Sequence, residues 1–221
     1  MAKTVLMCPP KYFDIEYEIN EWMDTSNPVE HKRAAAQWQK LHEIYSQQLG
    51  WDVQIIEPVK GLPDMVFTAN GGLVLKGKVV LPRFRYPQRQ AETGQFKKWF
   101  EGAGYYDLFL PAHNFEGEGD AFAWHDMLFA GYPFRSEVKA HREVAGFLGL
   151  KPVSIEQINP RFYHLDTALT FINDEAVAIY PGAFSDKSLA LIHRLVPKVI
   201  EATEEDAMTY GLNAMTDGQN I

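Results

Sequence analysis

Three short clusters in this chain carry side chains that can do chemistry together: Phe67-Thr68-Ala69-Asn70, Glu116-Gly117-Glu118-Gly119-Asp120 and His164-Leu165-Asp166. Residues two apart on a strand share a face, so His164 and Asp166 would lie side by side. A carboxylate next to an imidazole orients it and raises its pKa, which suits acid–base work. The same pair also reads as a hydrogen-bonded histidine at a strand end. Three carboxylates within five residues repel one another unless a cation lies among them, and the intervening glycines permit close approach. A solvated acidic turn would look the same. Asn70, ahead of Gly71-Gly72, is either the amide of a shared site or a strand bulge.

Spacing speaks against three coincidences. Asn70 and Glu116 are 46 residues apart, Glu116 and His164 are 48 apart, and a further 49 lead to Asn213. Near-equal steps of this size mark a repeated supersecondary unit. Units set around an axis would send the same end of each to one central place.

The elements that must position these clusters follow from periodicity and turn residues. A strand is expected over 3–8, stopped by Pro9-Pro10, then an irregular loop over 11–28 and a helix over 29–49. A further strand covers 53–56. The first repeat pairs strands 65–75 and 79–81 about Lys76-Gly77-Lys78, followed by a helix over 89–100 and a strand over 105–110. The second has strands 121–124 and 127–130, a helix 137–148 and a strand 152–155. The third has strands 165–172 and 176–180, a helix 187–194 and a strand 198–200. A fourth begins with a strand at 212–215. Each unit is strand, strand, helix, strand, and the N-terminal strand–helix–strand matches the rear of such a unit. The fold class expected is therefore α/β, a pseudosymmetric propeller of ββαβ units, five-fold when complete and incomplete here. No linker interrupts it, so residues 1–221 read as a single domain.

Composition narrows the function. The chain has 221 residues, 29 acidic against 21 basic, for a formal charge of −8. That balance argues against nucleic acid, which needs a basic face, and mildly favours a cationic substrate. No apolar run approaches the ~18 residues of a membrane span, and the opening residues are too short for a secretory signal. A cytoplasmic protein is expected. The single cysteine, Cys8, excludes an internal disulfide and any multi-cysteine metal site. A metal-dependent hydrolase is disfavoured, because one histidine lies in a cluster and no His-x-x-x-His pair exists.

The residues 63–70 (Pro-Asp-Met-Val-Phe-Thr-Ala-Asn), 115–120 (Phe-Glu-Gly-Glu-Gly-Asp) and 161–167 (Arg-Phe-Tyr-His-Leu-Asp-Thr) together resemble the guanidino-group-modifying enzyme superfamily. Arginine deiminases, dimethylarginine dimethylaminohydrolases, amidinotransferases and arginine dihydrolases belong to it. Leu6-Met7-Cys8-Pro9 and the stretch 17–23 are most similar to its arginine dihydrolase branch. The resemblance implies a five-fold α/β propeller, a small guanidino substrate, no cofactor and no metal, and leaves room for an oligomer. It implies that a cysteine thiolate attacks the guanidinium carbon while Glu116 holds the cation. His164 protonates departing ammonia and then activates water. Asp166 grips the guanidinium or orients the site, and Asn70 stands where deiminases carry an aspartate, which goes with two rounds of hydrolysis. Arg89 and Arg135 fall in segments that hold the substrate carboxylate, although each alone also reads as a surface ion pair. Glu118 is a weaker binding candidate, and Asp120 matches a structural position.

One part of the pattern is absent. The nucleophilic cysteine is expected roughly one unit beyond Asn213, past Ile221, and Cys8 in the first strand reads as a buried, inert thiol. The expectation is thus a chain truncated before its catalytic cysteine and without turnover of its own. Amidino transfer, dimethylarginine hydrolysis and a non-catalytic arginine-binding module are the alternatives.

Overall fold

The computed structural model describes residues 3–217. Its strands are grouped in four small sheets, one of two parallel strands and three mixed ones of three strands. The first pairs β1 (Thr4–Met7) in parallel with β2 (Asp52–Ile55), linked by helix α1 (His31–Glu43) and a π-helical turn, Ile44–Gln48. The second contains β3 (Leu73–Leu75), β4 (Lys78–Val80) and β5 (Asp107–Phe109), with α2 (Pro87–Gln90) and α3 (Glu92–Gly102) in the crossover. The third is β6 (Ala121–Trp124), β7 (Met127–Tyr132) and β8 (Lys151–Glu156) with α4 (Val138–Leu148). The fourth is β9 (Leu169–Phe171), β10 (Ala176–Ile179) and β11 (Lys198–Glu201) with α5 (Asp186–Leu195), followed by α6 (Glu204–Met208).

In each three-stranded sheet the middle strand is antiparallel to the strand before it and parallel to the strand after the helix. This is the expected ββαβ unit, three times over. Middle strands are covered on both faces and read as continuous apolar runs: Val79-Val80, Leu128-Phe129-Ala130 and Val177 with Ile179 are almost wholly buried. The sheets do not own separate cores. One buried cluster joins Leu73 and Val80 of the second sheet to Ala121, Leu128 and Val144 of the third unit. Another joins Phe129 and Ile155 to Leu169, Val177 and Ile192. Each unit therefore buries its apolar face against its neighbour, as repeat architectures require.

Three expectations change. The strands expected from residues 65 and 165 begin later, at Leu73 and Leu169, because each is preceded by 3₁₀ turns: Pro63–Val66 and Thr68–Gly71 in one, Leu165–Thr167 in the other. Gly117–Gly119 forms the equivalent turn before β6. The strand expected over 212–215 does not form. There the Ala214 and Ile172 carbonyls accept from the Thr170 and Thr216 hydroxyls, so the segment follows β9 through side chains and not through a ladder. Helix α6 was not expected; Thr203 and Asp206 close a capping box at its start. The loop 11–28 carries no helix or strand, as anticipated.

Candidate functional site

The 3₁₀ turns ahead of β3, β6 and β9 meet, and they carry the three clusters. Asn70 lies within the first turn, while Glu116 and His164 cap the other two. All three side chains are buried. Asn70 Nδ2 is 3.4 Å from His164 Nε2 and donates to the Glu116 carbonyl at 3.3 Å. His164 Nε2 lies 3.6 Å from Glu116 Oε2. Residues 94 positions apart thus touch. Glycine makes this possible: a Cβ on Gly119 would sit 2.1 Å from Asn70 Nδ2, and one on Gly117 2.5 Å from the Ala69 carbonyl.

Asp120 is the carboxylate that orients the imidazole. Its Oδ1 is 2.6 Å from His164 Nδ1, and its Oδ2 accepts from the Ser136 hydroxyl. Ser136 Oγ in turn accepts from the Glu116 backbone N–H at 3.1 Å. Asp166, two residues from His164, takes a different place: it is half-buried, and its carbonyl accepts from the Asn213 amide at 3.4 Å. Burial, and then the Asp120 charge, hold the Asp166 carboxyl well above the usual range. Burial likewise raises Asp120 to about 7, against the pull of the Ser136 hydroxyl and Arg135. His164 is pushed well below an ordinary histidine, first by burial and then by the Arg135 and Arg89 charges.

The two arginines are both buried in the cluster. Arg135 Nη1 donates to Glu116 Oε2 at 3.1 Å and Nη2 to the Ile19 carbonyl at 3.2 Å, with its guanidinium over the Tyr86 and Tyr163 rings. It also faces a cavity of about 320 Å³ walled by Ile19, Asn20, Tyr86 and Tyr163. Arg89 is gripped by both Glu92 oxygens at 2.9 Å, reaches the Asp64 carbonyl at 3.2 Å and donates to Asn70 Oδ1 at 3.0 Å. Glu118 stands apart. It is exposed, accepts from the Val74 N–H at 3.3 Å and opens on a separate cavity of about 470 Å³ beside Lys3 and Thr68. Cys8 is buried in the core cluster with Met65, Val79 and Phe96, and burial pushes its thiol up to about 12. Among the described residues no group of three or more His, Cys, Asp or Glu side chains is arranged to hold a metal ion, and no helix is long and apolar enough to cross a membrane.

No family model matches the chain. A dimethylarginine dimethylaminohydrolase of Mycobacterium tuberculosis is 44% identical over 215 residues, which cover 97% of this chain and 70% of that protein. The chain belongs to the guanidino-group-modifying superfamily. The bifunctional arginine dihydrolase/ornithine cyclodeaminase AgrE of Nostoc is 43% identical over 216 residues; the chain spans 30% of its length. Among solved structures, the N-terminal domain of the cyanobacterial arginine dihydrolase ArgZ, a cysteine-to-serine mutant bound to substrate, aligns with a TM-score of 0.91 at 40% identity, over 96% of this chain and 80% of that one. A dimethylarginine hydrolase from Pseudomonas aeruginosa shares the fold, with a TM-score of 0.79 at 16% identity.

Within this superfamily chain, sequence reasoning overlooked several residues of the cluster. The motifs point to neither Asp64, Glu92 nor Ser136, and they give Asp120 a structural place beside its membership of the acidic cluster. Asp64 and Glu92 sit in stretches that otherwise read as a strand approach and a helix face. Their one signal was that a buried Arg89 would need acidic partners.

Proposed function

We propose that this chain carries the substrate-binding and acid–base half of a hydrolase acting on the guanidinium C–N bond of arginine or an arginine derivative. The observation that carries the reading is the meeting of Asn70, Glu116 and His164, delivered by three successive units. Charge supports it. Among the described residues, Asp64, Glu92, Glu116 and Asp120 are four carboxylates buried with two guanidiniums, Arg89 and Arg135. A cluster with an excess of acids is stabilised by a further planar cation, and carboxylates bind guanidinium through paired N–H···O bonds. In this reading Glu116 takes the guanidinium, Asp166 approaches it from the neighbouring turn, and Arg135, at the cavity wall, takes the substrate carboxylate.

The chemistry requires a thiolate. The thiol passes its proton to His164 Nε2 as sulfur adds to the guanidinium carbon, and the C–N bond then breaks with ammonia leaving with that proton. Water, deprotonated by the same imidazole, then adds to the S-alkylthiouronium and the C–S bond breaks. Cys8 is in the wrong place and state for this role, so we infer that the 221 residues bind without turnover and that the thiol comes from outside them. The relatives' structures support a cysteine route: a cysteine-to-serine ArgZ is bound to substrate, and another ArgZ variant is covalently bonded to a reaction intermediate. The repeated units are read as blades of an α/β propeller whose shared end is this site.

Arginine dihydrolysis, giving ornithine, two ammonia and carbon dioxide, is the favoured outcome, supported by Asn70 and by the likeness to ArgZ and AgrE. Dimethylarginine hydrolysis is the second reading, favoured by the mycobacterial relative. Product analysis on a form that supplies the thiol decides between ornithine with two ammonia, citrulline with ammonia, and citrulline with dimethylamine. Product from arginine with the 221-residue chain itself would overturn the inference about turnover.

A further inference from the structure

Arg89 lines neither of the two cavities described above, and its donors are almost used up. Of its five N–H groups, one goes to Glu92 Oε1, one to Glu92 Oε2, one to the Asp64 carbonyl and one to Asn70 Oδ1. The Phe84 ring covers its guanidinium at 4.4 Å. Such a group is poorly placed to bind a ligand and well placed to hold a neighbour.

The neighbour is the Asn70 amide, whose oxygen and nitrogen can only be told apart by their partners. Arg89 is a donor only, so the atom 3.0 Å from Nη1 is the amide oxygen. The Glu116 carbonyl is an acceptor only, so the atom 3.3 Å from it is the amide nitrogen. Two unlike neighbours thus require the same orientation. Packing against Gly119 leaves the amide no slack. The N–H₂ edge then also faces His164 Nε2 at 3.4 Å. A ring nitrogen that faces a donor must offer its lone pair, so the imidazole proton is on Nδ1, directed at Asp120 Oδ1 2.6 Å away.

We propose that Arg89, locked by Glu92 and Asp64, is a positioning residue that aims the Asn70 amide at His164 and so holds Nε2 unprotonated, ready to accept a proton. The inference rests on the acid–base role given to His164 above. It concerns the resting tautomer, so it can be tested on the 221-residue chain without any turnover. A carboxylate at position 70 would have the opposite effect, accepting from Nε2–H and drawing a proton onto the ring.

The test is ¹⁵N NMR of the His164 ring, with its titration, in wild type and variants. The charged groups facing the ring are Asp120, Glu116, Arg135 and Arg89, with Asp166 adjacent in the same turn. Wild type is expected to carry its proton on Nδ1 at neutral pH. Arg89→Lys keeps the positive charge but loses the fork, and is expected to raise the proton affinity of His164 about tenfold, one pKa unit. In an Asn70→Ala background the same substitution is expected to change nothing further. If Arg89→Lys does not fold, Glu92→Gln serves. Loss of a negative charge would by itself lower the His164 pKa, so a rise supports the role of the amide. A proton on Nε2 in wild type, an unchanged titration in the lysine variant, or an equal shift in the alanine background would each overturn the proposal. Failure to hydrolyse arginine in any form would defeat the functional reading and leave these ring measurements as they stand.

Discussion

His164 and Asp120 illustrate how much a single contact decides. An imidazole held by a carboxylate at 2.6 Å on Nδ1 and faced by an amide donor at Nε2 has its tautomer and plane set from both sides. In a form that supplies the nucleophile, Asp120→Asn is expected to lower kcat by ~10²-fold or more, with KM little changed, and Asp166→Asn to raise KM instead. Equal effects on both constants for the two variants would erase the distinction drawn here. A second buried histidine carries no chemistry but does carry pH. His141 sits between the Ser154 hydroxyl at 2.8 Å and the Gly131 carbonyl at 3.1 Å, and burial lowers it to about 4. In the unfolded chain it protonates near 6.5. Stability is therefore complete above that pH and falls as pH drops from 6.5 toward 4, by ~2–3 kcal/mol at pH 4.5. Urea unfolding of wild type and His141→Gln at pH 7 and 4.5 measures this as a difference in slope. Neither partner was legible in the sequence: Asp120 and His141 owe their roles to contacts across 44 and 10–13 residues, not to local pattern.

At the scale of elements, the helices and middle strands were readable because their apolar periods are strong. The 3₁₀ turns that build the site were not. Three or four residues are too few to show a period, and Phe67-Thr68-Ala69-Asn70 has the composition of a strand. Yet these turns, and not the strands, bring Asn70, Glu116 and His164 together. They do so by backbone approach, which places the constraint on glycine. Gly119→Ala would drive a methyl group into Asn70 Nδ2. It is expected to cost ~1–3 kcal/mol of stability as overpacking, and to abolish arginine binding measured by calorimetry at a temperature where the variant is still folded. Retained binding with the stability loss alone would mean that the turns can part without disturbing the site. The segment 212–215 teaches the reverse lesson. Its apolar residues suggested a strand, but Leu212 is spent in the core beside Ala207, and hydroxyl bonds from Thr170 and Thr216 take the carbonyls that a ladder would use.

At the scale of the whole molecule, the equal spacing of the clusters was the readable signal, and the asymmetry among the sheets was not. Among the described residues three middle strands, β4, β7 and β10, are paired on both edges, whereas β1 pairs with β2 on one edge. The Lys3 and Met7 carbonyls accept from Asp52 and Ile56, so alternation turns Thr4 and Leu6 toward the other edge. There the Leu6 carbonyl is met by the Thr68 hydroxyl at 2.8 Å, and the edge lines the 470 Å³ cavity with apolar side chains from α1 and α3. An unpaired strand edge exposes its N–H groups to opening and exchange. Native-state hydrogen exchange on the 221-residue chain should therefore show Leu6 and Thr4 amides exchanging at least ~10²-fold faster than those of Val79, Leu128 and Val177. Equal protection would mean that this edge is already satisfied.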